Sequence, residues 1–218
     1  MHIVDSHCHL DRLDLTEFDG SLDKALTHAQ EHNVAHMLCV CIDLENFEKV
    51  NAIAQGNKNI DASVGVHPTE QDSEEPSVER LVDLANNEKI VAIGETGLDY
   101  FHCKGDVTWQ QDRFRRHIQA AITCNKPLII HTRNAREDTI AIMKEQNAKA
   151  VGGVMHCFTE SLEMAKQAID EGFYISFSGI VTFKNAKELQ EVAKSIPLER
   201  MLIETDSPYL APMPFRGK

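Results

Sequence analysis

The sequence predicts an α/β fold, a single (β/α)8 barrel of parallel strands in which the eighth strand lacks its helix. Three observations carry this. Eight short apolar runs alternate with longer amphipathic stretches along the 218 residues. The runs recur close to the ~31-residue spacing expected when ~250 residues form eight strand–helix units. Most of them end on a histidine or a carboxylate, as side chains delivered to one rim would.

In order, the runs are IVDSHCH (3–9), AHMLCVC (35–41), IDASVGVH (60–67), KIVAIGE (89–95), KPLIIHT (126–132), AVGGVMHC (150–157), GFYISFSG (172–179) and RMLIETD (200–206). They are too short for most helices and rich in Val and Ile, as strands covered on both faces should be. Between them, Leu22, Leu26 and Ala29 mark one helical stripe. Phe114, Ile118 and Ile122 mark a second, and Leu189, Val192 or Ala193, and Ile196 a third; all fit a period of 3.6. Asn134 with Glu137, and Asn185 with Glu188, have capping-box spacing at two helix starts. The acidic stretch TEQDSEEPS (69–77) reads as a solvated loop. Beyond the eighth run stands SPYLAPMPFRGK, whose three prolines argue against a helix. One domain over 1–218 is therefore expected, incomplete at its C-terminal end.

A formal net charge of −12 argues against a general polyanion binder, although bound cations would reverse the sign of a carboxylate-rich site. No leader precedes the first run and no run approaches the ~18 residues of a membrane span, so a cytoplasmic protein without membrane contact is expected. Cys8, Cys39, Cys41, Cys103, Cys124 and Cys157 form no CxxC pair and read as reduced structural thiols. Oligomeric state is left open, a monomer being allowed.

The chemistry lies at the run ends. His7, His9, His67, Glu95, His131, His156 and Asp206 all fall where a run stops, although the chain has only 11 histidines. In a parallel barrel these ends share one mouth. His7 and His9 alternate, so both face the same space. Six ligands exceed a mononuclear zinc site and suit two metals. The division expected is His7, His9, Glu95 and Asp206 on one, and Glu95, His131 and His156 on the other, with Glu95 as the bridge. Asp206 then serves as general base beside a metal-activated water, and Glu204 orients a ligand from behind. Mg²⁺ or Mn²⁺ suits the carboxylates, and Zn²⁺ the imidazoles. His67, Arg133 and Arg113 are the candidates for substrate contact, Arg113 also reading as part of a solvated basic helix face. Trp109, Tyr100 and Phe101 stand above the mouth, where aromatics can stack a base. Such a centre serves a nuclease or a small-molecule amidohydrolase acting on an amide, ester or lactone. A non-catalytic barrel scaffold would not need all six ligands.

At these residues the sequence resembles the TatD family of metal-dependent deoxyribonucleases within the amidohydrolase superfamily, most of all its YcfH-type members. The matching stretches are DSHCHLD, GVHP, IGETGLDY, QQDRFRRHIQAA, PLIIHTR, MHCFT and ETDSPYLAP, in order from residue 5 to 212. The resemblance implies a TIM barrel with two divalent ions on His7, His9, Glu95, His131, His156 and Asp206, Glu95 being shared. It further implies 3′→5′ exonuclease action with Mg²⁺ or Mn²⁺ on short or single-stranded DNA ends, and a helical segment beyond the final lysine.

Overall fold

The computed structural model describes residues 2–71, 73–103 and 105–216. Its strands are β1 (Ile3–Cys8), β2 (Val34–Cys39), β3 (Ile60–Val64), β4 (Ile90–Asp99), β5 (Leu128–Arg133), β6 (Gly153–Met155), β7 (Phe173–Phe177) and β8 (Met201–Ile203). They form one sheet in sequence order, and every ladder in it is parallel. The connecting helices are α1 (Leu22–Glu31), α2 (Phe47–Gly56), α3 (Val78–Ala85), α4 (Thr108–Cys124), α5 (Arg136–Glu145), α6 (Leu162–Asp170) and α7 (Lys187–Ser195). Among the described residues no helix follows β8, and none is long and apolar enough to cross a membrane.

Strand alternation sorts the core into two layers. Leu128 and Ile130 of β5 join Phe114, Ile118 and Phe173 in the large layer between strands and helices. Ile129 instead joins Val40 and Ala92 in a small cluster with Leu38 and Val154, inside the barrel. His131 lies two residues beyond Ile129, and His156 two beyond Val154, so both continue the inward faces.

Glu95 departs from the expected pattern. It does not end its strand, because β4 runs on to Asp99. A register shift between Ile93 and Thr96 interrupts the ladder with β5, which resumes at Thr96↔Ile130. The irregularity moves the inward face by one residue, from the Ala92 phase to Glu95. Glycine is required here: a Cβ on Gly97 would meet the His131 carbonyl oxygen at 2.0 Å, so only Gly lets β4 approach β5 this closely. β1 carries a similar shift between Asp5 and Cys8, and the ladder to β2 resumes at Cys8↔Cys39.

The helix starts also differ from expectation. Ala135 and Ala186 occupy the N-caps of α5 and α7, with no side-chain cap. Asn134 has φ 56°, which makes it a left-handed turn residue rather than a cap. Serines cap instead: Ser21, Ser77 and Ser161 accept the amides of Lys24, Arg80 and Met164. On α4, Phe114 and Ile118 are buried as the stripe requires, but Ile122 is partly exposed.

No ladder joins β8 to β1. Their C-terminal ends are tied by two backbone bonds, Asp206 N–H to His7 O at 2.9 Å and His9 N–H to Ser207 O at 2.7 Å. The Asp5 carboxylate accepts the Thr205 amide (2.9 Å) and hydroxyl (2.6 Å).

Candidate metal centre

Glu95 sits at the middle of the mouth, 3% exposed. Its Oε1 lies 3.3 Å from His67 Nε2, 3.3 Å from His131 Nδ1 and 3.2 Å from His156 Nε2. Its Oε2 faces the other way, 3.3 Å from His7 Nε2. Asp206 Oδ1 is 3.4 Å from His9 Nε2 and 3.7 Å from His7 Nε2, and the two Nε2 atoms are 3.3 Å apart. All six expected ligands, with His67, therefore converge around one buried carboxylate. Three overlapping triads have ligand atoms mutually within 4.8 Å: His7, His9 and Glu95; His7, His156 and Asp206; His67, Glu95 and His131. His156 stacks on His7 at 3.6 Å and so stands between the two expected groups rather than within one.

The outer nitrogens decide what the inner ones offer. A carbonyl or carboxylate only accepts, so an imidazole bonded to one must present N–H there. His9 Nδ1 donates to Val40 O at 3.1 Å. His156 Nδ1 donates to Glu204 Oε1 at 3.0 Å, and His131 Nε2 donates to Asp99 Oδ2 at 3.1 Å. Each of these rings, when neutral, turns a lone pair toward Glu95 or Asp206. His67 is the reverse: its Nδ1 accepts the Thr69 amide at 3.2 Å, so its Nε2–H points at Glu95. His7 Nδ1 is buried without a partner.

Lone pairs and carboxylate oxygens facing one another repel, and two compensations suit them: protons or divalent cations. Proton affinities show the strain. Burial opposes charge on His156, yet Glu204 and Glu95 raise it well above the usual histidine range. Burial likewise pushes Glu95 up, but His156 and His67 outweigh it and hold it well below the usual carboxylate range. Burial and then His156 lower His7. A set of imidazole nitrogens and two carboxylates fits divalent metal, which would replace those protons. Cys39, Cys41 and Cys157 do not compete, since burial pushes their thiols up to about 12.

Glu204 is buried behind His156, with Oε1 also accepting the Cys157 amide at 2.7 Å. Asp99 was not singled out by the sequence. Fully buried, its Oδ2 accepts from His131 and also from His102 Nδ1 at 2.8 Å, and its Oδ1 accepts the amides of Phe101 (3.0 Å) and His102 (2.8 Å). Burial raises its proton affinity, but the bonds from His131 and His102 outweigh that and lower it.

Arg113 corrects the sequence reading. It is neither a substrate contact nor part of a solvated face but 1% exposed beneath the mouth. Its guanidinium donates to His67 O (2.8 Å), Glu70 O (2.6 Å) and Glu75, and lies over the Trp109 ring. Within the acidic stretch, Glu70 and Glu75 are accordingly tied to α4, while Gln71 and Glu74 are exposed. Gln110 and His117 share this helix face at spacings of three and four. Gln110 pairs with both the amide and the carbonyl of Asp99, at 2.9 and 3.2 Å. His117 accepts the Val66 amide at 3.0 Å and donates to Arg113 O at 2.8 Å. The helical spacing of Gln110, Arg113 and His117 beside the Phe114 stripe is the signal that could have exposed the clamp. Arg133 is exposed on the rim, 4.0 Å over the Phe101 ring, which is itself half exposed. Tyr100 is turned away, its hydroxyl bonded to Asp138 at 2.7 Å.

Comparison with known proteins agrees with this architecture. The family model TatD related DNase matches residues 4–218. The uncharacterized metal-dependent hydrolase YcfH of Escherichia coli K12 is 48% identical over 218 residues, which is all of this chain and 82% of YcfH. A Cronobacter sakazakii protein named 3′-5′ ssDNA/RNA exonuclease TatD is 31% identical, over 90% of this chain and 76% of its own length. The crystal structure of the E. coli TatD homologue YJJV superposes with a TM-score of 0.89 at 28% identity, covering 99% of this chain and 83% of that one. The chain belongs to the TatD-related DNase family.

Proposed function

We propose that the protein is a divalent-metal-dependent hydrolase that cleaves DNA phosphodiester bonds, working from short or single-stranded 3′ ends. The observation that carries this is the split orientation of Glu95, one oxygen toward His7 and the other toward His67, His131 and His156. A carboxylate so placed would be shared between two ions, with His7, His9 and Asp206 on one side, His131 on the other and His156 within reach of both. Such ions, Mg²⁺ or Mn²⁺ for a phosphodiester, would supply an acidified water and neutralise charge on the phosphate. The protein's residues supply the rest. Asp206, only partly exposed beside His9, is the base that takes the water's proton. The Nε2–H of His67 is a fixed donor for an oxygen at the centre. Arg133 stacked on Phe101 offers a cation to the phosphate backbone and an aromatic face to a base. This local positive edge offsets the net charge of −12 only at the mouth, which suits a strand end better than a long duplex. The name of the Cronobacter relative supports the same substrate class.

The test is hydrolysis of a 3′-labelled single-stranded oligonucleotide in Mn²⁺ or Mg²⁺, set against a panel of small amides, esters and lactones. Shortening from the 3′ end that stops with chelator and is lost in Glu95→Gln is expected. Turnover of an amide or lactone with the oligonucleotide left intact would overturn the nuclease reading in favour of a small-molecule hydrolase.

A further inference from the structure

We infer that Asp99 is a positioning residue that fixes His131 with its Nε2 protonated, so that the Nδ1 lone pair faces the metal centre. The inference rests on reading His131 as a ligand, and it concerns a residue that acts through His131.

The geometry leaves little choice. Asp99 is fully buried, and both its oxygens are engaged. Oδ1 takes two backbone amides, from Phe101 and His102, which can only donate. Oδ2 takes His131 Nε2 at 3.1 Å and His102 Nδ1 at 2.8 Å. Because a carboxylate only accepts, the His131 proton must sit on Nε2. Nδ1, 3.3 Å from Glu95 Oε1, is then the coordinating atom. Asp99 itself cannot drift, since Gln110 pairs with its backbone on both sides. A ligating imidazole whose other nitrogen is held by a carboxylate is a recurrent device for fixing tautomer and ring angle.

The same geometry specifies what Asp99→Asn does. The two amides require the carboxamide oxygen at the Oδ1 position, so the NH2 group must occupy the place of Oδ2. That group donates, and it demands a lone pair from His131 Nε2. The proton of His131 is driven to Nδ1, where it points at Glu95 and blocks coordination. Asp99→Asn therefore reverses the tautomer with almost no change in shape.

Two measurements test this. Long-range ¹⁵N–¹H correlation on histidine-labelled, metal-free protein, at a pH where the rings are neutral, reads the tautomer directly. Nε2–H is expected for His131 in the wild type, and Nδ1–H in Asp99→Asn. Mn²⁺ titration followed by electron paramagnetic resonance reads affinity, and a loss of about 10–100-fold is expected in Asp99→Asn. His102→Ala, which removes the other ring on Oδ2, should leave Mn²⁺ affinity within about twofold. An unchanged His131 tautomer in Asp99→Asn, or equal losses in Asp99→Asn and His102→Ala, would overturn the inference by reducing Asp99 to a loop anchor. A wild type that shows the Nε2–H tautomer but binds no Mn²⁺ would instead sink the ligand reading and leave the Asp99–His131 geometry standing.

Discussion

Along β3, β4 and β5 the mouth is held from outside by a single helix, whereas at β8 and β1 it is held only by the strands' own ends. On the first flank α4 sends Gln110, Arg113 and His117 inward to the backbone of Asp99, His67, Glu70 and Val66. On the second, the Asp5–Thr205 pair, two backbone bonds and the Ser6 hydroxyl donating to Ile203 O at 2.9 Å do the work, with no helix after β8 among the described residues. The proposed ligands hang from both. His131 and Glu95 belong to the clamped flank, His7, His9 and Asp206 to the seam. The difference teaches that a rigid centre needs only one flank fixed by packing, if the other is fixed by short polar contacts at the level of the ligands.

The comparison breaks most severely at Arg113. Replacement by Met removes two hydrogen bonds from a charged donor, to His67 O (which keeps the Glu70 amide) and to Glu70 O, at roughly 1.5–3 kcal/mol each, so a loss of about 4 kcal/mol is expected in urea unfolding. A loss below 1 kcal/mol would mean the clamp is incidental.

His117 gives the clamped flank a pH signature. Burial lowers it from 6.5 to about 4. The native ring stays neutral while the unfolded ring takes up a proton below about 6.5. Its share of the stability is therefore complete above 6.5 and drains as the pH falls toward 4, by about 3 kcal/mol at 1.36 kcal/mol per unit. Unfolding measured from pH 7 to 4 should show that fall in the wild type, and a shallower one in His117→Gln. Equal slopes would remove His117 from the account.

On the seam, Thr205→Val deletes the hydroxyl bonded to Asp5 and should cost about 2 kcal/mol, as bonds to charged groups do. Hydrogen exchange sharpens this: the amides of His9 and Asp206 should exchange faster in the variant, and that of Val66 should not. The smallest effect is expected on the outer surface of α4. Arg115 pairs with Glu145 at 3.0 Å in solvent, and Arg115→Ala should change stability by less than about 1 kcal/mol.

The sequence displayed the barrel and the ring of histidines and carboxylates at its mouth because both rest on periodic or rare features. Apolar runs mark strands, and histidines at run ends mark the rim. It hid what depends on register and on tertiary partners. Glu95 reaches the centre only through a shift in β4, which no local pattern encodes. Arg113 looked like surface charge beside Arg115 and Arg116, since a buried arginine is recognised only by the carbonyls that the fold brings to it. Asp99 was invisible for the same reason: its partners lie 32 residues away on β5 and three residues away on a rim turn. Asn134 and Asn185 had capping spacing, but left-handed geometry at Asn134 moved the first of these helix starts past it.

The central claim is that Glu95 stands between two cations. Diffraction from crystals soaked in MnCl₂, collected at the manganese edge, tests it most directly. Two anomalous peaks on opposite sides of the Glu95 carboxylate are predicted, one beside His7 and His9 and one beside His131. Absence of manganese from the mouth, with the imidazoles bonded only to protein groups, would contradict the account.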